Sequence, residues 1–160
     1  MLVEFCSDVL YKRIEPYRKS DKSITEPFDK QGVRTFNAES LNAYFENRLY
    51  LEQELAVLFH ADNEEADEIF EVLSDLALEL RRHSVYKLLI GKINMNHNEP
   101  SEHFSVHTYP SIHLFFKSKD GHLQSQRIIA KNKRELIHLV FQHSQVLSQE
   151  YDDKIYYQIM

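Results

Sequence analysis

Five carboxylates crowd one short stretch of this chain: Asp62, Glu64, Glu65, Asp67 and Glu68. At that density carboxylates can bind a cation or divide acid and base roles, but a hydrolytic pair needs a cleft that fixes the separation of its two groups. The simpler reading places them in the first turns of a helix, where each gains about 0.3–1 kcal/mol from the helix dipole. Nine histidines are scattered along the chain. His103 and His107 lie four apart, yet Ser105-Val106 between them leads into a strand, so no zinc site is expected. No other metal or cofactor is expected either. Cys6 is the one cysteine, which rules out a dithiol or a disulfide within the chain, and it reads as a buried structural thiol. Tyr109-Pro110 stands at the head of an apolar run. It reads either as an ordinary edge-strand proline or as a cis bond held by a structural constraint.

The elements that must position these groups follow from composition and periodicity. With 160 residues, 42% of them hydrophobic, the chain can bury a sizeable core in one domain plus a short extension. A formal net charge of −6 gives no basic face for nucleic acid, and no apolar run is long enough to span a bilayer. The first residues alternate apolar and acidic side chains, unlike a secretory signal, and Tyr156-Tyr157-Gln158-Ile159-Met160 is not a retention tail.

Val3, Phe5, Val9 and Leu10 fit one face of a short helix, and Pro16 and Pro27 bracket a polar linker that Gly32 closes. A short strand over 33–36 leads to Asn37, which caps a helix running through Phe45. Leu55 to Phe59 is unbroken apolar sequence, the mark of a strand covered on both faces. Asn63 to Arg82 carries apolar residues at helical spacing, with acids at its start and Arg81-Arg82 at its end. Further strands are expected over 86–95, 111–117 and 124–129, a short helix over 96–104, and a last helix over 133–143. The order β-α-β-α-β-α-β-β-α is an α/β sandwich with a central mixed sheet flanked by helices.

Four stretches then resemble the C-terminal thioredoxin-like domain of the protein disulfide isomerases. They are Ile14-Glu15-Pro16-Tyr17 with Lys19-Ser20, Leu55 to Ala61, Ile90-Gly91-Lys92-Ile93-Asn94 with Asn98 and Pro100, and Phe104 to Ile112 around Tyr109-Pro110. The resemblance implies a thioredoxin-like fold over 33–146. It makes 15–32 a linker, 1–14 an N-terminal helix or the end of a preceding domain, and 147–160 a tail. It implies the lumen of the endoplasmic reticulum.

Where the family carries its two redox cysteines, this chain has Glu64 and Asp67, after Phe59-His60-Ala61-Asp62-Asn63. Disulfide exchange needs a thiolate of lowered pKa and a second thiol to resolve the mixed disulfide, and neither is present there. The family's buried glutamate falls on Leu58, while its lysine partner is matched by Lys92. The expectation is therefore a non-enzymatic domain that binds unfolded or partner polypeptides, with neither nucleic acid nor membrane as partner. In thioredoxin folds the backbone before the proline pairs with an extended client, so the expected contact residues are Asn63, Glu64, Asp67, Thr108, Tyr109 and Pro110. The competing expectations are a scaffold domain whose groove is closed and an enzyme using the acidic cluster.

Overall fold

A computed structural model describes residues 19–22, 26–47, 53–101, 104, 106–130 and 132–150. The expected first helix with Cys6, the Ile14–Tyr17 stretch and the tyrosines of the tail lie outside these residues. Among these residues nine elements follow in order: β1 (Arg34–Phe36), α1 (Ala38–Glu46), β2 (Glu54–His60), α2 (Glu64–Arg82), β3 (Leu88–Asn94), β4 (Ser111–Lys117), β5 (Leu123–Ile128), α3 (Lys133–His143) and α4 (Gln145–Glu150). The sheet order is β1-β3-β2-β4-β5. The β1–β3 and β3–β2 pairs are parallel, whereas β2–β4 and β4–β5 are antiparallel. This is the mixed sheet that the sequence leads one to expect.

The central strand β2 explains the layering. Leu55 through Phe59 are each 0% exposed, because side chains that alternate between the two faces meet a covered face either way. Leu55, Val57 and Phe59 join an aromatic layer with Tyr44, Phe45, Phe104 and Phe115 under α1. Phe45 stands edge-on to Phe104 and Phe115 at centroid distances of 4.7 and 5.5 Å, an arrangement aromatic quadrupoles favour. Ala56 and Leu58 face the aliphatic layer that Leu73, Leu76 and Leu80 of α2 share with Leu136, Ile137 and Val140 of α3.

The expected helix over 96–104 is not formed by its described residues, which run as turn and irregular chain through Ser101. Asparagine side chains take the backbone groups a helix would use. Asn94 Oδ1 accepts from the Asn96 N–H at 2.9 Å, and the Asn98 amide donates to Asn94 O at 2.8 Å. Pro100 adds a further break. Asn98 is 1% exposed, and its Oδ1 accepts from both Ala38 N and Asp21 N at 2.9 Å. One amide thus joins the loop after β3, the start of α1 and the segment before β1.

The chain also folds beyond the expected 146 boundary. Helix α4 runs from Gln145, and Leu147 is 1% exposed within the aliphatic layer. Its start is held by Glu54, 5% exposed, whose carboxylate accepts from the Ser144 hydroxyl and from the N–H groups of Gln145 at 2.8 Å and Val146 at 3.1 Å. Burial pushes the Glu54 carboxyl above its ordinary value, and these three bonds offset part of that rise.

Candidate functional site

The residues singled out by sequence gather at one end of the sheet. Phe59↔Ser111 is the last pair of the β2–β4 ladder and His60 ends β2, so residues 61–63 leave the sheet at the end where 107–110 enter it. Asn63 caps α2, its Oδ1 accepting from Ala66 N at 2.9 Å. Glu64 and Asp67 follow in the first turn, one helical turn apart and both exposed. Thr108 and Tyr109 are exposed on the facing segment, and Pro110 is half-buried at the head of β4. The Tyr109–Pro110 bond is cis. Tyr109 is 41% exposed, and its hydroxyl donates to Val106 O at 3.0 Å, which fixes the ring on the surface. Among the described residues no hydrogen bond joins Asn63, Glu64 or Asp67 to Thr108–Pro110, so the two groups share an end of the sheet without closing on each other.

Asp62, absent from the expected set, braces this end. Its carboxylate accepts from the side-chain amides of Asn94 at 3.0 Å and Asn96 at 3.2 Å, and Met95 N donates to His60 O at 2.7 Å. The loop after β2 is thereby tied to the loop after β3. The alternation Asn94, Asn96, Asn98 was the available signal, since asparagines in that density commonly hold backbone turns.

Beneath the start of α2 there is no strand carboxylate. Leu58 is fully buried and registers with Lys92, whose ammonium lies 4.1 Å from the centre of the Phe70 ring. A cation over a ring face is attracted by the ring quadrupole, so Lys92 has a partner that does not require a buried anion. His60 is half-buried, and burial chiefly lowers its pKa. The Ala61 carbonyl opposes that shift, Lys92 adds to it, and Asp62 and Asp67 oppose it. No side chain in 60–68 or 107–111 carries sulfur. Among the described residues, no three of His, Cys, Asp and Glu lie close enough to hold a metal ion, and no helix is long and apolar enough to cross a membrane.

No protein-family model matches the chain, and no curated protein matches it. Solved structures do. The crystal structure of the Trx4 domain of ERdj5 superimposes with a TM-score of 0.51 at 18% identity, covering 70% of this chain and 95% of that domain. The fold is thioredoxin-like. The J-Trx1 fragment of ERdj5 gives a TM-score of 0.52 at 18% identity, over 78% of this chain and 54% of the fragment. Full-length ERdj5 gives 0.52 at 13% identity, over 88% of this chain but 23% of that protein. At such identities the likeness is one of fold. In this thioredoxin-like domain, the start of the helix after the central strand and the proline turn into β4 stand side by side, and the helix start holds carboxylates.

Proposed function

We propose that this chain is a thioredoxin-like domain of the protein disulfide isomerase type in which Glu64 and Asp67 stand where the cysteines would be. It holds extended polypeptide segments along Thr108–Pro110 and does not oxidise them. The observation that carries this reading is an exposed, tethered Tyr109 beside an exposed helix start that has no sulfur. An open strand end with free backbone suits main-chain pairing, which tolerates many client sequences. In keeping with the disulfide isomerases it resembles, the domain would act on folding proteins in the endoplasmic reticulum.

The test pairs two assays on the full chain. Insulin reduction by dithiothreitol should proceed at its uncatalysed rate, while light scattering from an aggregating unfolded client should be suppressed. Tyr109→Glu should weaken the suppression with the circular dichroism unchanged, and Tyr109→Phe should keep it. Catalysed reduction, or suppression indifferent to Tyr109→Glu, overturns the reading. No suppression by the unaltered chain favours a scaffold role.

A further inference from the structure

A second surface, on the outer side of β1, is built around one arginine. Arg34 pairs with Gly91 of β3 on one side and forms an antiparallel bridge with Phe28 on the other. Its guanidinium carbon lies 4.6 Å from the centre of the Phe36 ring and 5.8 Å from that of Phe28. Gly91 makes this shelf possible: a Cβ there would come within 2.5 Å of the Phe36 ring. Stacking of this kind suits a guanidinium, which is planar and weakly hydrated.

The shelf takes the guanidinium partly out of water, with Tyr44 as its electrostatic neighbour. The Nε atom of Arg34 is buried with no acceptor, and among the described residues the guanidinium forms no ion pair or hydrogen bond. Desolvation lowers the pKa of Arg34, though an arginine stays charged in any such setting. Arg34 remains partly exposed where it lines a groove of about 350 Å³ with Pro27, Thr35, Ser40 and Ala43. The start of α1 offers this groove no free donor. The N–H groups of Ala38, Glu39 and Ser40 go to Asn98, Ser20 and Asn37. Among the described residues that line the groove, Arg34 carries the one cationic side chain.

We propose that Arg34 and this groove bind a carboxylate of an acidic peptide segment. A carboxylate is planar and singly charged, and it takes two parallel N–H bonds from a guanidinium. Pro27 and Ala43 give apolar walls for the stem of a glutamate or aspartate. Glu39 also lines the groove, and the chain carries a net charge of −6, so a dianionic phosphate is disfavoured. The site lies apart from Thr108–Pro110 and stands independently of the polypeptide-holding function.

Because Nε–H is closed off from solvent, its nitrogen–proton resonance should be observable by NMR. An acetylated Ala/Glu peptide should shift that resonance saturably, and its Ala/Gln counterpart should leave it unmoved. Arg34→Lys, which keeps the charge and loses the fork, should weaken binding about tenfold with the spectrum otherwise preserved. Equal responses to the two peptides, no response at millimolar peptide, a tighter response to inorganic phosphate, or full affinity in Arg34→Lys would each overturn the proposal. Shifts confined to Tyr109 would also count against this site while leaving the first one standing.

Discussion

Leu58 and Lys92 stand opposite one another across the parallel β2–β3 pair, the first closed within the core and the second resting its ammonium 4.1 Å from the centre of the Phe70 ring. The resemblance to the disulfide isomerases would put a buried glutamate at the first of these positions, where this chain has leucine. With no thiol above it, a carboxylate there would lose its hydration for no chemical return, and leucine fills the aliphatic layer instead.

Restoring that carboxylate should therefore be costly. Leu58→Glu is expected to lower stability by about 3 kcal/mol or more at neutral pH, measured by urea unfolding. Burial raises the introduced carboxyl above its unfolded value, so the penalty is smallest below that value and grows as pH rises through the folded one. A variant as stable as the parent at pH 7 would mean that the strand tolerates charge at this depth.

Asn98 should behave as a fastener rather than a surface residue. Asn98→Ala leaves the Ala38 and Asp21 N–H groups without their acceptor, and the expected loss is about 2–4 kcal/mol. Amide exchange at Ala38 should accelerate. A change under about 0.5 kcal/mol, the size of an ordinary surface substitution, would contradict the geometry.

The Glu54 clasp on α4 has a pH signature. Its folded pKa is raised, so its favourable contribution is complete below the unfolded value and is lost as pH rises through the folded one. Half-buried His60 and His113 run the opposite way. Burial lowers both, so their contribution is complete above about 6.5 and is lost as pH falls through the folded values. Comparing the parent with Glu54→Gln cancels the histidines. The parent should gain on the variant between pH 7 and pH 5, and a gap constant with pH would refute the assignment.

The first turn of α2 can be asked whether it sits where a dithiol would work. Residues one turn apart on a helix lie within disulfide reach. The double substitution Glu64→Cys with Asp67→Cys should form a bridge in a glutathione buffer and bring measurable insulin reduction. A pair that stays reduced would separate this helix start from the redox position of the fold.

Much of this architecture is legible in local sequence. Leu55–Phe59 reads as a covered strand because no polar residue interrupts it, and α2 reads from its apolar spacing and the Asn63 cap. What escapes local reading depends on partners far apart in the chain. The 96–104 stretch looks polar enough for a helix until Asn94 and Asn98 take its backbone groups. Helix α4 carries the buried Leu147 and is fixed by Glu54, about ninety positions earlier. At the site, Glu64, Asp67 and Tyr109-Pro110 stand out through resemblance. The clasp of Asp62 on Asn94 and Asn96, and the shelf under Arg34, are set by strand register, which no single segment encodes.

The most direct measurement is an amide chemical-shift map of the full chain titrated with an extended, unstructured peptide. Saturable shifts at Thr108 and Tyr109, with the first turn of α2 responding at Asn63, Glu64 and Asp67, are the predicted result. Shifts that avoid this end of the sheet, or none at millimolar peptide, would contradict it.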